Sequence, residues 1–211
     1  MNIAFKNIIP DPLPISSISE SEIWGEQIEF NQGESILAHA PSGKGKSTFL
    51  HLIYGLRKDF SGSFILGDFS SKKIDQGDWE SLRAQKISIL FQDLRLFSHL
   101  TARENLSLLP ALSDNRPPIK EMCQQLNVGS LLEQKVCTLS HGQRQRFALI
   151  RSLLKPITWL LLDEPFSHLD EKNTEAAVHL IEQIRAKEKF GLIQTSLSKG
   201  SFLSCDRTLS L

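Results

Sequence analysis

Short runs of apolar residues alternate along the chain with segments of helical periodicity. Four of these runs, at 35–38, 86–91, 159–162 and 192–195, predict strands that are buried inside a sheet. Helical segments separate the runs along most of the chain. The pattern therefore predicts an α/β fold, in which helices cover both faces of a mainly parallel sheet.

Two longer segments, 142–154 and 171–189, carry apolar residues at the 3.6-residue spacing of an amphipathic helix. Asp170 precedes the second segment and is a favourable N-cap residue. Shorter helices are expected at 49–54 and 79–83. These helices provide the apolar faces that a parallel sheet needs on both sides.

The N-terminal third is expected to contribute further strands, at 3–9, 23–30 and 62–67. Three prolines between positions 10 and 14 follow the first strand. We expect them to end it, because proline cannot donate a hydrogen bond to a sheet. The segment 207–211 closes the chain.

The segment 93–139 differs in character from the rest of the chain. It is richer in helix-forming residues, and a polar, proline-containing interruption divides it at 113–118. We interpret it as an α-helical subdomain that is inserted within a single domain spanning 1–211. A chain of this length can bury a proper hydrophobic core.

Composition narrows the classes of function. Lys and Arg together number 24, as do Asp and Glu, so bulk charge gives no reason to expect a nucleic-acid partner. No apolar run approaches the roughly 20 residues that a membrane span needs. The three cysteines are odd in number and far apart, which argues against a disulfide framework and favours a reducing cytoplasm.

The most informative motif, Ala-Pro-Ser-Gly-Lys-Gly-Lys-Ser-Thr at 40–48, lies between a predicted strand and a predicted helix. Its glycines allow the backbone to wrap around an anion, and the helix N-terminus adds partial positive charge. Lys46 can reach the outer phosphates of a nucleotide, and the Ser47 hydroxyl can hold a magnesium ion. The residues expected to bind the phosphates are Pro41, Ser42, Gly43, Lys44, Gly45, Lys46, Ser47 and Thr48.

Two acidic residues, Asp163 and Glu164, follow the buried run 160–162. Ligands of parallel sheets bind beyond the carboxyl ends of the strands, so we expect this pair to lie near the phosphate loop. Asp163 would bind magnesium, and Glu164 would polarise the attacking water of a phosphoryl transfer. Gln92 ends another buried strand and could ligate magnesium or the attacking water.

A second anion site is expected where the helix 142–154 begins. Ser140, Gly142 and the free N–H groups of the first turn would form it. The chain already has one phosphate loop, so a second site makes sense if it faces the nucleotide of another subunit. In isolation, the same residues are more often a serine N-cap followed by a polar first turn.

Taken together, these motifs resemble the nucleotide-binding domain of an ABC ATPase. They are the phosphate loop 40–48, Gln92, the Leu-Ser-His-Gly-Gln signature at 139–143, the acidic strand 160–164 and the Ser-His-Leu-Asp loop at 167–170. Their order and spacing match the family across nearly the whole chain. The resemblance implies a P-loop NTPase core with a mainly parallel sheet, an N-terminal antiparallel β part and an inserted α-helical subdomain.

The resemblance also implies cofactors and site residues. ATP and Mg²⁺ would bind in a head-to-tail homodimer, or a pair of cassettes, with two ATP molecules between the subunits. The residues with a catalytic role would be Glu164, Lys46, Gln92 and Ser196. The magnesium ligands would be Ser47, Gln92 and Asp163. The residues that serve the partner's nucleotide would be Ser140, Gly142 and Gln143.

The apolar residues of the segment 94–106 could equally form the core of the helical subdomain, but the segment resembles the region that docks a membrane subunit in this family. It implies a separate transmembrane permease and a cytoplasmic, peripheral location on the inner face of the cell membrane. In the sequence of this segment and in its short length, the chain is most similar to ATPases of the lipoprotein-releasing and macrolide-exporting group.

Three features depart from the family pattern. His141 stands where the signature usually has glycine, and Ser196 stands where the family has a histidine that contacts the γ-phosphate. No aromatic residue is available at 10–16 to stack on adenine, and Trp24 and Phe5 are out of register. The last two departures imply a slow or altered ATPase that still binds nucleotide.

Three hypotheses follow for the function. The chain is an ATPase subunit that powers a transporter, or a nucleotide-dependent dimerising switch with weak hydrolysis, or an ABC ATPase that acts on nucleic acid or ribosomes. Ser196 favours the second hypothesis over the first. The third usually comes with coiled-coil insertions or two cassettes in one chain, and neither is present.

Overall fold

A computed structural model describes residues 1–13, 18–109 and 116–211. The strands are β1 (Ile3–Pro10), β2 (Gln27–Phe30), β3 (Ser35–His39), β4 (Phe60–Leu66), β5 (Phe69–Ser70), β6 (Ile87–Leu90), β7 (Trp159–Asp163), β8 (Gly191–Ser196) and β9 (Arg207–Ser210). The α-helices are α1 (Lys46–Ile53), α2 (Gln76–Gln85), α3 (Ala102–Ser107), α4 (Ile119–Gln125), α5 (His141–Ser152) and α6 (Glu171–Glu188).

The chain divides into two compact units. The first comprises Met1–Ile89, Ile157–Glu164 and Phe190–Leu211, and the second comprises Leu90–Pro156 and Pro165–Lys189. The first unit contains the strands, apart from the last residue of β6, together with α1 and α2. The second unit contains α3 to α6.

One sheet of the first unit has the strand order β6-β7-β8-β3-β9. β8 lies between β3 and β7 and pairs in parallel with both, and β9 pairs in parallel with β3. All of β7 and the first five residues of β8 are buried. This burial is the physical reason for the apolar runs in the sequence, and the predicted α/β fold with a mainly parallel sheet is confirmed.

The other sheet has the order β2-β1-β4-β5, and its pairs are antiparallel. The register of β1 on β4 shifts between Lys6 and Ile9, which marks a bulge. Asn7 has a φ of 52° there, and Gly62 opposite has a φ of 83°. A Cβ atom on Gly62 would lie 2.2 Å from the Asn7 carbonyl oxygen, so the bulge requires glycine. This sheet is the expected antiparallel β part.

An aromatic cluster anchors α1 on the first unit. The ring of Phe49 lies 5.8 Å from the rings of Phe5 and Phe30 and 5.9 Å from that of Trp24, measured between centroids. Phe5 is 3% exposed, and the other three side chains are at most 1% exposed. Because Phe49 lies in the first turn of α1, this packing fixes the helix end that follows the predicted phosphate loop.

Two strand predictions at the N-terminus are wrong in their bounds. Only Gln27–Phe30 of the expected strand 23–30 is a strand, because the Ser21 hydroxyl accepts hydrogen bonds from the N–H groups of Ile23 and Trp24 and holds a turn. β1 includes Pro10, which we expected to end it. Pro10 pairs with β4 beyond the end of β2, where a missing N–H disrupts no ladder.

Other predicted boundaries differ from those in the structure. β6 ends at Leu90. We expected the strand to include Phe91 and to end at Gln92, and both residues lie outside it. α1 begins within the predicted phosphate loop, and α5 ends two residues earlier than expected. α2 is longer than the predicted 79–83, because Asp75 and Asp78 form a capping box that starts it earlier.

The second unit is held together by polar side chains as well as by its apolar core. The Arg146 guanidinium donates to the Leu126 carbonyl at 2.7 Å and to Asn173 Oδ1 at 2.8 Å. Burial lowers the pKa of Arg146. Asn105 is fully buried, and its side chain accepts from the Phe97 N–H at 2.8 Å. The Arg146 bonds join α5 to the residue after α4 and to α6, and the Asn105 bond joins α3 to the segment before it.

The predicted helical segment 93–139 falls within this second unit, which also includes α5 and α6. Part of its predicted interruption, 113–115, lies outside the described residues. None of the helices in the described ranges is both long and apolar enough to cross a membrane. The division of the chain into one domain with an inserted subdomain stays a prediction.

The turn after α1 generates a prediction about stability. Gly55 has a φ of 75°, and a Cβ atom there would lie 2.3 Å from the Trp79 indole. We expect Gly55→Ala to lower the free energy of unfolding by about 3 kcal/mol, from backbone strain and overpacking together. The thermal midpoint should fall by about 6–12 °C.

A matched control is Gly200→Ala, because the nearest atom to a Cβ at Gly200 is 3.8 Å away and its φ lies outside the left-handed region. We expect its thermal midpoint to stay close to that of the native chain. Equal stability of the two variants in a thermal melt would contradict the proposed clash at Gly55.

Candidate nucleotide-binding site

The predicted phosphate loop connects β3 to α1. Gly43 has a φ of 80° and Gly45 a φ of 96°, both in the left-handed region that glycine adopts without strain. Pro41, Ser42 and Gly43 are exposed. Gly45 is the N-cap residue of α1 and has no side chain that could accept from the first-turn N–H groups. The loop can therefore present main-chain donors to an anion at the helix N-terminus.

Lys46 is the first residue of α1, and its side chain folds back under the loop. The side chain is 6% exposed, and Nζ donates to the carbonyl oxygens of Ala40 at 2.9 Å and Pro41 at 3.2 Å. Nζ also lies 3.2 Å from Glu164 Oε1. The structure thus brings the predicted phosphate-binding cation and the predicted catalytic carboxylate into direct contact.

Asp163 and Glu164 occupy the end of β7 and the residue that follows it. Asp163 is 2% exposed, and Glu164 has a φ of 48°. The hydroxyl of Thr195 on β8 donates to Asp163 Oδ1 at 2.7 Å and accepts from the Glu164 N–H at 3.2 Å. No local pattern in the sequence singles out Thr195, because only the pairing of β8 with β7 brings it to the two acids.

Ser196 is the last residue of β8 and pairs with His39, the last residue of β3. Its carbonyl oxygen accepts from the Ala40 N–H at 3.1 Å, and its hydroxyl accepts from the Ser198 N–H at 3.2 Å. Burial and the charge of Lys199 lower the pKa of His39, and the charge of neighbouring Glu22 opposes this lowering in part. Ser196 thus adjoins the start of the phosphate loop through the main chain.

Gln92 does not belong to the unit that contains the phosphate loop. It belongs to the second unit, in an exposed turn two residues after β6 ends. The prediction that it helps to bind magnesium or water therefore stays a prediction.

The three signature residues that we expected to serve a partner's nucleotide lie together where α5 begins. Ser140 is the N-cap, and its hydroxyl accepts from the Gln143 N–H at 3.3 Å. In return, Gln143 Oε1 accepts from the Ser140 N–H at 2.8 Å. This capping box is the serine N-cap that the sequence also allowed. A Cβ atom on Gly142 would lie 2.8 Å from the His168 carbonyl oxygen, so this position favours glycine.

His141, which we expected to stand in place of a family glycine, packs on His168. Their ring centroids are 3.9 Å apart. Within the described ranges, His141 Nδ1 is buried and has no hydrogen-bond partner. Burial, followed by His168 and Arg144, lowers the pKa of His141. The side chain is therefore accommodated by tilted packing of its ring against that of His168.

Neither aromatic residue that we considered for adenine stacking is accessible. Phe5 and Trp24 both lie in the buried cluster around Phe49. Residues 10–13 include no aromatic side chain, and the rest of the segment 10–16 lies outside the described residues.

The side chains near the loop suit magnesium better than a softer metal. Ser47 and Asp163 offer a hydroxyl and a carboxylate, and Mg²⁺ takes oxygen ligands, keeps several waters and uses few protein groups. No cluster of three or more His, Cys, Asp or Glu residues that could hold a metal occurs among the described residues. An ion shared with bound phosphates fits this small donor set.

Comparison with known proteins decides the family. The family model described as "ABC transporter" matches residues 25–167, which is more than half of the chain. The chain belongs to the ABC transporter family. The resemblance inferred from the motifs is therefore confirmed, and members of this family are ATPases that bind ATP, typically with Mg²⁺.

Curated ABC relatives come from both import and release systems. The thiamine import ATP-binding protein ThiQ of Yersinia pseudotuberculosis is 35% identical over 80% of this chain and 71% of its own length. The lipoprotein-releasing system ATP-binding protein LolD of Legionella pneumophila is 32% identical over 89% and 85%, respectively. The chain is thus an ATP-binding subunit of the kind found in ABC transport systems.

A solved ABC structure supports the fold. The dimeric structure of MJ0796, described as a bacterial ABC transporter cassette, is 25% identical and has a TM-score of 0.76. The match covers 92% of this chain and 87% of that chain. The two-sheet α/β architecture is therefore that of an ABC cassette.

The contacts of Lys46 generate a prediction about binding. Lys46→Ala removes the buried cation of the loop, and we expect the affinity for MgATP to fall by about 100-fold or more, or about 2.7 kcal/mol. Isothermal titration calorimetry measures this. Lys58→Ala is the control, because Lys58 is exposed in the same unit and should bind MgATP as the native chain does. Unchanged affinity in Lys46→Ala would refute the assignment of the loop.

Proposed function

We propose that this chain is the ATP-binding and ATP-hydrolysing subunit that powers an ABC transporter. ATP closes a dimer of cassettes, hydrolysis reopens it, and a separate membrane subunit follows the movement. The observation that carries this proposal is the 3.2 Å contact between Lys46 and Glu164 at the base of the phosphate loop.

The contact suggests how the two residues divide the chemistry. Phosphates at the loop offer the Lys46 ammonium a stronger negative charge than one carboxylate does. When Lys46 turns to the phosphates, the Glu164 carboxylate loses its ion pair and becomes available to accept a proton from the attacking water. Phosphoryl transfer needs mainly positioning and charge stabilisation, which this pair supplies.

The remaining loop residues would hold the nucleotide. The main-chain N–H groups from Pro41 to Thr48, excepting proline, would surround the phosphates, and the helix N-terminus would favour their charge. Ser47, Asp163 and Gln92 are the proposed magnesium ligands. The ion, when bound, would neutralise charge on the phosphates.

We propose that two cassettes, identical or paired, enclose the nucleotides. Ser140, Gly142 and Gln143 would face the partner's ATP from the N-terminus of α5. The capping box uses the side chains of Ser140 and Gln143 internally, so the positive helix end is what this surface offers to an anion. The dimeric state of the similar MJ0796 cassette supports this arrangement.

The proposed membrane partner would dock on the second unit. Phe97, in the segment 94–106, is 52% exposed, and Leu108 just after it is 54% exposed. Exposed large apolar side chains of this kind are common at protein–protein contacts. The names of the similar ThiQ and LolD proteins support a transport role, and the chain would then act on the inner face of the membrane.

Glu164→Gln tests the hydrolytic role. The amide keeps the shape but cannot take a proton, so we expect kcat for ATP to fall by about 10²–10⁴-fold. Dimer closure by ATP should survive, and size-exclusion chromatography with MgATP should show more dimer than the native chain does. Glu26→Gln is the control, because Glu26 is exposed on the same unit. Native turnover in Glu164→Gln would remove Glu164 from the mechanism.

A second candidate function is a nucleotide-dependent dimerising switch with weak hydrolysis. Ser196 favours it, because a serine on the last position of β8 is shorter than histidine and its hydroxyl already accepts from Ser198. Under this hypothesis the purified chain binds ATP and dimerises but turns it over very slowly.

Ser196→His separates the two candidates. If serine limits hydrolysis, the longer side chain should raise kcat by about tenfold or more, as a positioned acid–base group does. Ser198→His, two residues away on an exposed position, is the matched control. Steady-state ATP turnover measures both variants. Equal turnover in native chain and Ser196→His would show that Ser196 does not limit the rate.

A further inference from the structure

Thr195 is a buried hydroxyl between the two strands that end at the candidate site. It is 1% exposed on β8, and it pairs with Ala38 of β3 on one side and Asp163 of β7 on the other. Its position therefore links the strand that leads into the phosphate loop with the strand that carries the acids.

The hydroxyl has one proton to donate, and the distances show where it goes. Thr195 Oγ1 lies 2.7 Å from Asp163 Oδ1 and 3.4 Å from the Leu162 carbonyl oxygen. The shorter bond is the stronger one, so the hydroxyl proton is donated to Asp163. The oxygen accepts at the same time from the Glu164 N–H at 3.2 Å.

The two bonds hold two different parts of the site, the carboxylate of Asp163 and the main chain of Glu164. The bond to Asp163 fixes the rotation of a buried carboxylate and leaves its second oxygen for another ligand. The bond to Glu164 holds the main chain of a residue whose φ of 48° is uncommon for a side chain other than glycine. One hydroxyl thus orients both acids.

We propose that Thr195 is a positioning residue for ATP hydrolysis, acting through Asp163 on the magnesium ion and through Glu164 on the attacking water. This inference rests on the proposed function. It differs from a packing role, because a packing role needs only the shape of the side chain and not its hydroxyl. Valine has nearly the same shape, while serine keeps the hydroxyl and loses the methyl group.

Thr195→Val should therefore lose function, and Thr195→Ser should retain it. We expect kcat for ATP to fall by about 10- to 100-fold in the valine variant, the range seen when a group that orients a metal ligand is removed. The KM for ATP should change much less, because the phosphate loop is untouched. The serine variant should stay within about threefold of native, since it keeps both hydrogen bonds.

A binding measurement keeps the test independent of turnover. ATP affinity is measured by calorimetry with Mg²⁺ and again with EDTA, and the ratio of the two dissociation constants is compared between variants. In the valine variant, Mg²⁺ should raise the affinity for ATP about tenfold less than it does in the native chain. The affinity measured in EDTA should change little. If the native chain shows no turnover, proposed hydrolysis fails, while this ratio still decides the role of Thr195.

The control is Thr208→Val, an exposed threonine on β9 of the same sheet, which should match the native chain in every measurement. Thermal melts identify any variant that fails to fold, and the serine variant then supplies the comparison. Native kcat and native magnesium dependence in folded Thr195→Val would overturn the proposal. Equal losses in the valine and serine variants would also overturn it, because they would assign the effect to packing.

Discussion

A buried ammonium group sets the arrangement of the first unit. Lys46 is 6% exposed, and a charge so far from water must be matched by acceptors and an opposite charge. The carbonyl oxygens of Ala40 and Pro41 and the carboxylate of Glu164 provide that match. The requirement therefore couples the path of the phosphate loop to the end of β7, although the two segments are far apart in the sequence.

Strand β8 makes this coupling possible. It lies between β3 and β7, its Thr195 hydroxyl contacts Asp163, and its Ser196 carbonyl oxygen accepts from the Ala40 N–H. These contacts use the main chain or a neighbouring hydroxyl. β8 therefore links the two acids to the phosphate loop without using the side chain of Ser196.

In the second unit, the first turn of α5 packs closely on the residues just before α6. The ring of His141 packs at a tilt against that of His168, and burial lowers the pKa of His141. Gly142 keeps the close approach to the His168 main chain that a larger residue would prevent.

The sequence by itself determined the family, the α/β fold and the phosphate loop, because buried strands, glycine turns and caps such as Asp170 depend on neighbours within a few residues. It missed the turn held by Ser21 and gave no sign of Thr195. Only the tertiary structure decided that Glu164 contacts Lys46 and that the Thr195 hydroxyl contacts Asp163 and the Glu164 N–H. These contacts depend on the order and register of parallel strands, and a parallel pair joins residues that no local pattern relates.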